Sequence, residues 1–295
     1  AEIEKIANNR EKPTFENTIV AMEKSGEILD RVSTVFYSLV GTNTNDEMQA
    51  IQAQMAPKLS AYSDAISLNE KLYARVKALY DQIDELDLDP ESKRLLERYN
   101  TDFVRAGAQL SAEDKAKVKD INSQMASLQT QFSQNVLKEV NAAAIVVNTK
   151  DELKGMSDSD IAAAAAVAKA RGMEGKYVIA LLNTSGQPAL DSLSNRALRE
   201  RIQKASIARG SQGGEFDNRE IFSKIAKLRA ERAAIMGYAN HAEYVLEDAT
   251  AKTTDAVNEM LLGLAPAAVA NAKKEAADMQ KVAQTEEKKL ELAAW

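Results

Sequence analysis

The chain has 295 residues, of which 38 are Lys or Arg and 44 are Asp or Glu, with a formal net charge of −6, one His and no Cys. The absence of Cys excludes a thiol nucleophile, an iron–sulfur cluster and a disulfide within this sequence, and one His cannot supply the imidazoles that a catalytic zinc usually takes from its protein. The acidic balance argues against a nucleic-acid partner, which would need an extended basic surface, and no apolar run reaches the ~18 residues of a membrane span.

Long helices are expected in the first half, because the 12 Gly and 5 Pro fall below the typical usage of ~7% and ~5%. The first helix is predicted to run from Pro13 to just before Gly41, and the second from Met48 to Ile66. Pro57 lies inside the second helix and is expected to kink or break it. The first helix is predicted to bury one apolar face, spaced by three and four, made of Phe15, Ile19, Met22, Leu29, Val32, Phe36 and Leu39.

Three further helices complete this half. The third spans Leu72 to Ile83, the fourth follows the N-cap Asp89 and Pro90, and the fifth and longest opens at Ser111. Short connections between these helices favour antiparallel neighbours. The first 141 residues are therefore predicted to form a helical bundle.

The pattern changes near residue 142. Short β-branched runs at 144–148 and 176–182 predict two strands, and between them Ser157 is expected to cap an alanine-rich helix. Helices are then predicted from Ser194 to Arg209, from Asp217 to Met236, in a short piece at His241, and from Thr254 onward through Pro266. The predicted fold is mostly α, with long antiparallel helices and a small inserted β-sheet, divided into segments 1–141, 142–190 and 191–295.

A locally basic helix is the candidate binding site. Arg196, Arg199 and Arg201 could hold a peptide carboxylate or another acidic substrate by charge-assisted hydrogen bonds. Lys204 and Arg209 add to the same basic stretch. The alternative is a solvated helix face with internal ion pairs.

Other polar features favour structural roles. His241 lacks a second His at i+4, where Val245 stands, so it does not match the zinc-binding pair of a zincin helix and is predicted to start a helix. The Gly-rich run 210–214 lacks the Lys-Ser/Thr of a phosphate-binding loop and is predicted to be a surface loop. Arg229 and Glu231 are expected to pair across helices, with a role in shaping a cleft as the alternative. We predict no catalytic residue and no metal ligand in this chain.

Five ordered motifs carry a resemblance to a known family. Those at residues 13–19, 131–137 and 195–200 read PTFENTI, QFSQNVL and NRALRE, and are followed by Asp217-Asn218 with Leu228-Arg229-Ala230-Glu231 and by GYANHA at 237–242. Together they resemble the N-terminal side of bacterial peptidyl-dipeptidases, also called dipeptidyl carboxypeptidases, in the thimet oligopeptidase and oligopeptidase A family of zinc metallopeptidases. Gln203 and Thr250 depart from the family pattern, which puts only local packing in doubt.

The resemblance implies a helical wall of a deep, narrow channel in an enzyme that hydrolyses short peptides and releases C-terminal dipeptides. It implies zinc in the intact family member, held by an H-E-x-x-H helix that this chain lacks, so the chain alone is expected to be inactive. The alternative is a stand-alone helical scaffold or peptide-binding module.

The resemblance also implies partners and a compartment. The expected partners are short peptides and a C-terminal catalytic half. A cytoplasmic location is expected, with the periplasm as the alternative. Self-association is expected through the C-terminal helix, whose residues Leu261, Leu262, Leu264 and Val269 should be partly uncovered.

Overall fold

A computed structural model describes residues 2–184 and 186–295, and the described chain is mostly helical. The order of elements begins with α1 (Glu2–Ala7), a π-helical turn (Glu16–Val20), α2 (Ala21–Glu23), α3 (Glu27–Thr42), α4 (Asp46–Ser67), α5 (Glu70–Tyr80), α6 (Pro90–Ala106) and α7 (Ala112–Ala142). It continues with β1 (Ile145–Val147), a 3₁₀ turn (Lys150–Leu153), α8 (Asp158–Ala170), β2 (Tyr177–Ile179), α9 (Ala189–Ser192), α10 (Arg196–Ile207), α11 (Arg219–Ile235), α12 (His241–Leu246) and α13 (Thr254–Glu286). The predicted fold class is confirmed.

The small sheet pairs β1 with β2 in antiparallel register, with Ile145 opposite Ile179, Val146 opposite Val178 and Val147 opposite Tyr177. Both strands lie where the β-branched runs predicted them but are shorter. The chain leaves the sheet after Ile179, and the backbone N–H of Leu182 bonds instead to the side chain of Gln187 at 2.9 Å. Beyond the end of β2, a side-chain oxygen thus takes the place of the backbone carbonyl that a neighbouring strand would offer.

The first helix is where the sequence prediction is wrong. The predicted single helix from Pro13 is broken after α2 by Gly26, whose φ of 81° is left-handed and whose N–H is bound by the Glu2 carboxylate at 2.8 Å. Glycine tolerates this conformation, which other residues avoid. The face predicted to be buried continues into α3, yet Leu29, Val32 and Leu39 are exposed there and α3 has no buried residue.

The second helix is confirmed, since α4 runs from Asp46 to Ser67 where Met48 to Ile66 was predicted. Pro57 does not break it, because the helix continues through this residue without interruption. Asn45 caps its start by accepting a hydrogen bond from the Met48 N–H at 2.9 Å. A proline inside a helix removes one N–H donor and crowds the carbonyl four residues earlier, yet α4 continues on both sides of Pro57.

The chain forms two compact units. The first contains the residues up to Gln131 together with Lys224–Tyr244, and the second contains Phe132–Ser223 with Val245–Trp295. This grouping follows packing and rejoins segments that are distant in sequence. The three-segment organisation proposed from the sequence stays a prediction.

The first unit has a core made by α1, the π-helical turn and α2, α5 and α6. Its fully buried members include Ile19, Leu72, Val76 and Leu96. Burying each such side chain stabilises the fold by roughly 1.5–3 kcal/mol. The N-terminal segment is therefore held on the helices by apolar burial.

The buried guanidinium of Arg75 also fixes this segment. Arg75 is 5% exposed and donates to the carbonyls of Asn9 at 2.9 Å and Glu11 at 3.1 Å. It further donates to the side chains of Asn17 at 2.7 Å and Thr18 at 3.2 Å. One side chain of α5 thus supplies hydrogen bonds both to the irregular chain before the π-helical turn and to the turn itself.

The second unit has its own core around the sheet. Residues from α7, both strands, α8 and α10 meet there, with Val147, Leu153, Leu198 and Ile202 among the least exposed. The predicted Ser157 cap is confirmed, since its hydroxyl accepts from the Asp160 N–H at 3.1 Å. No described helix combines the length and the hydropathy that crossing a bilayer would require.

Candidate functional site

The helix α10 carries the three arginines predicted to bind substrate. It begins one residue after Asn195, whose side chain accepts from the Leu198 N–H at 3.1 Å, rather than at Ser194 as predicted. Leu198, Ile202 and Ser206 are its buried residues, and their spacing of four places them on one face. That face fixes α10 on the core of the second unit.

The three guanidinium groups bind backbone carbonyls on three different segments. Arg196 donates to the carbonyl of Glu291 at 2.6 Å, and Arg199 donates to that of Leu193 at 2.5 Å. Arg201 reaches the carbonyl of Val146 in β1 at 3.2 Å. The structure therefore places these side chains around α10 and does not bring them together on one group. In these contacts the arginines hold neighbouring segments of the second unit onto α10.

The rest of the basic stretch shows one internal ion pair and one further carbonyl contact. Lys204 pairs with Glu200 at 2.6 Å, four residues earlier on the helix. Its ammonium also lies 5.7 Å from the ring centroid of Trp295. Arg209, just beyond α10, donates to the carbonyl of Leu182 at 2.5 Å. The basic stretch thus combines a solvated ion pair with side chains that fasten loops.

An open groove of about 600 Å³ lies beside α10. Gln203 lines it from the helix, and Asp191 is the one charged side chain among the described residues that line it. The loop after β2 and the end of the chain supply the remainder of the lining, which is Leu182, Thr184, Gly186, Gln187, Pro188, Leu190, Ala294 and Trp295. None of the three candidate arginines lines this groove.

Gln187 shapes that groove and was missed by the sequence interpretation. Its buried side-chain amide donates to the Leu182 carbonyl at 3.1 Å and to the Ser206 hydroxyl at 3.1 Å. Its amide oxygen accepts from the Leu182 N–H. These bonds tie the loop to α10. A polar residue before a proline in a loop is typical of a turn exposed to solvent. The sequence around Gln187 therefore did not indicate that its side chain is buried and holds the loop on α10.

A polar cluster in the first unit contains the single His. Arg232 donates to Asn122 at 3.1 Å, and Asn122 donates to the buried Asp64 at 2.8 Å. The Tyr244 ring lies 4.8 Å from the guanidinium carbon of Arg105 and 5.4 Å from that of Arg232. His241 begins α12, as predicted. This cluster joins α4, α6, α7, α11 and α12 through polar contacts.

Two pKa shifts follow from this arrangement. Burial raises the pKa of the Asp64 carboxyl above its usual 3.8, opposed by the hydrogen bond from Asn122 and by the charges of Lys119 and Arg232. Burial and the positive charges of Arg229 and Arg232 lower the pKa of His241 below its usual 6.5. Asp64 is thus biased toward its protonated form and His241 toward its neutral form.

The His, Asp and Glu side chains of the described residues are not arranged to hold a zinc ion. Among residues 2–184 and 186–295, no three His, Cys, Asp or Glu side chains are grouped so that they could hold a metal ion. His241 faces two arginines, whose charges would repel a metal cation. A catalytic zinc needs three protein ligands with an open position, which these residues do not assemble.

The loop at 210–214 is anchored by a buried carboxylate. The N–H of Gly210 donates to Glu139 of α7, and its carbonyl accepts from the Asn218 N–H at 2.8 Å. Asn218 in turn accepts from the side chain of Asn135 at 3.0 Å. Residues from two of the motifs noted in the sequence therefore meet inside the second unit, where they fix the start of α11.

Comparison with known proteins identifies relatives along nearly the whole chain. The model of peptidase family M3 matches residues 189–295. Dipeptidyl carboxypeptidase of Escherichia coli K12 is 40% identical over 282 residues, covering 96% of this chain and 41% of that protein. The Salmonella typhimurium protein of the same name is 38% identical, over 100% of this chain and 43% of its own length. Oligopeptidase A of E. coli K12 is 29% identical over 99% of this chain and 44% of its own length. The chain spans about two fifths of the length of these curated relatives.

Proposed function

Because this chain belongs to peptidase family M3, we propose that it forms the N-terminal helical wall of the channel in a zinc-dependent peptidase that hydrolyses short peptides and releases C-terminal dipeptides. The observation that carries this proposal is the 40% identity to a dipeptidyl carboxypeptidase across 96% of the chain. The lower identity of 29% to oligopeptidase A favours dipeptide release over general oligopeptide hydrolysis. A cytoplasmic location is part of the proposal.

The chain alone is proposed to be inactive. Its single His and the repulsive setting of His241 argue against a zinc site of its own. The test is to incubate the purified chain with Zn²⁺ and a blocked tripeptide and to assay for released dipeptide. We expect no hydrolysis above the metal-only control. Hydrolysis that a chelator abolishes and that co-purifies with the chain would overturn this proposal.

A partner surface on α13 follows from the same proposal. None of the 33 residues of α13 is buried. The four apolar side chains expected to be uncovered, Leu261, Leu262, Leu264 and Val269, are each at least half exposed, and so are Met260, Met279 and Val282. An apolar patch of several hundred Å² marks an interaction site more often than a free surface. We propose that a C-terminal catalytic half covers this helix in the intact enzyme and that the bare helix promotes self-association.

A role for Arg196, Arg199 and Arg201 in holding the substrate carboxylate is also proposed. A guanidinium carries five N–H donors, so one carbonyl contact leaves others for a ligand. In the enzyme that contains this region, each Arg→Gln variant should lower kcat/KM for a peptide with a free C-terminus more than for its C-terminal amide. An equal loss for both substrates would assign these residues to structure alone. Arg94→Gln, on the exposed face of α6, is the matched control.

The second candidate is a helical scaffold or peptide-binding module without catalysis, favoured by the open groove beside α10. The open reading frame from which this chain comes distinguishes the two candidate functions. Continuation past Trp295 into an H-E-x-x-H sequence supports the peptidase, whereas a stop codon supports the module. Binding of short peptides by the purified chain, measured calorimetrically, would then test the module directly.

A further inference from the structure

An exposed apolar stripe follows the whole length of α3. We call it the α3 seam, and it consists of Ile28, Val32, Val35 and Leu39, which are 80%, 62%, 62% and 47% exposed. An open groove of about 620 Å³ runs along these side chains. Phe36 lines the edge of this groove and is half-buried, and Ser33 and Val40, further around the helix, are half-buried as well. The helix is therefore apolar on a face that nothing in the described chain covers.

The spacing of the α3 seam is that of a coiled coil. Its four residues follow one another at intervals of four, three and four, which is the alternation of a and d positions in two heptads. All four are aliphatic, and three are β-branched. A seam of this kind packs best against another helix, whose side chains fill the spaces between its own.

The charges of α3 favour an antiparallel pairing with itself. Its charged residues, Glu27, Asp30 and Arg31, all lie in the first turn and a half, and none follows between Val32 and Thr42. A parallel pair would set this charged end against its own copy. An antiparallel pair sets it against the uncharged half of the partner.

The side chains are self-complementary in that antiparallel register. With the two-fold axis between Ser33 and Thr34, Ile28 of one copy meets Leu39 of the other and Val32 meets Val35. The flanking positions bring no like charges together, because Arg31 then lies opposite Phe36 and Leu29 opposite Ser38. Every seam residue contacts an aliphatic residue, and no like charges meet.

From these observations we propose that α3 binds α3 of a second copy of this chain as an antiparallel, two-fold symmetric pair. A standard interface buries about 800 Å² per partner, and a 16-residue helix with four seam residues offers less. The dimer is therefore weak, half formed at a concentration on the order of 100 µM. This surface lies in the first unit, and the proposal does not depend on the peptidase activity.

Sedimentation equilibrium between about 5 and 500 µM tests the pairing. The mass of the wild-type chain should rise from 32.2 kDa toward twice that value. Val35→Asp should weaken dimerisation at least tenfold, whereas Thr34→Asp, on the same helix away from the seam, should leave it unchanged. Circular dichroism checks that both variants keep the fold, as expected for exposed positions. A monomer at every concentration would overturn the proposal, and so would association lost in Leu262→Asp of α13 but kept in Val35→Asp.

Disulfide trapping tests the register, since the chain has no native Cys. Cross-linking needs Cα atoms about 4.4–6.8 Å apart. Equal amounts of Ile28→Cys and Leu39→Cys should give a mixed disulfide at least tenfold faster than either variant alone or than Thr34→Cys with itself. Ile28→Cys that couples to itself as fast as to Leu39→Cys would exclude the antiparallel pair.

Discussion

The amide of Asn122 donates a hydrogen bond of 2.8 Å to Asp64, which joins α7 to α4 through a carboxylate that is only 6% exposed. The other carboxylate oxygen of Asp64 is buried without a hydrogen-bond partner in the described chain. Burial disfavours the charged form, and the pKa of Asp64 is raised as a result. Burial outweighs the hydrogen bond from Asn122, which by itself favours the carboxylate, so Asp64 contributes most to folding when it is protonated.

The stability of the chain should reflect this shift. Between the usual pKa of 3.8 and the raised pKa, the folded state binds more protons than the unfolded state, so the contribution of Asp64 falls as pH rises through that window. Asp64→Asn keeps the shape and cannot ionise, so its free energy of unfolding should improve relative to wild type from pH 3.5 to pH 7. Urea unfolding at several pH values measures this difference. Asp84→Asn, at an exposed site, should show no such trend, and a difference that shrinks with pH would contradict the assignment.

The buried Arg75 should be far more important than an exposed arginine. Arg75→Met leaves the carbonyls of Asn9 and Glu11 without their donor, and a lost hydrogen bond to a charged group costs roughly 1.5–3 kcal/mol. With four acceptors affected, we expect a loss of about 3 kcal/mol or more in the free energy of unfolding. Arg94→Met, whose ion pair with Glu97 is exposed, should cost less than about 1 kcal/mol. Equal losses in chemical denaturation would refute this account.

Local chemistry made parts of this fold predictable. Asp89 was identified as an N-cap from its place before Pro90, and it accepts from the N–H groups of Glu91 at 2.9 Å and Ser92 at 3.0 Å. Ser157 was identified in the same way. Such caps depend on residues within one turn, so the sequence alone reveals them.

Features that depend on distant residues could not be predicted. The amphipathic pattern of α3 shows that a face is apolar, but it does not show whether the covering surface belongs to this chain. The carbonyl partners of Arg196 and Arg201 lie 95 and 55 residues away, so the basic stretch in the sequence could not reveal which backbone carbonyls these side chains bind. Gln187 was missed because its partners meet only after folding.

Gly155 should tolerate no side chain. Its φ is 101°, and a Cβ built there would lie 2.1 Å from the carbonyl oxygen of Ser192, where the chain is also held by a 2.8 Å bond from the Ser194 N–H to the Lys154 carbonyl. Gly155→Ala should therefore cost more than the roughly 1–3 kcal/mol of backbone strain alone. Gly172→Ala is the matched control, because Gly172 also has positive φ but has open space at its Cβ. Similar losses for both variants in urea unfolding would rule out the clash.

The single His makes the polar cluster directly measurable, because its ring protons give one titration curve by NMR. We expect His241 to titrate below 6.5, since burial and the charges of Arg229 and Arg232 disfavour the imidazolium form. Between the lowered pKa and 6.5 the unfolded state binds more protons than the folded state. The contribution of His241 to the free energy of unfolding is therefore lost as pH falls through that window. Arg229→Gln removes one of the two charges without touching the buried core, because Arg229 is exposed, and should raise the pKa of His241. Arg94→Gln should leave it unchanged. A pKa at or above 6.5 in the wild-type chain, or one that does not respond to Arg229→Gln, would show that these arginines do not act on His241.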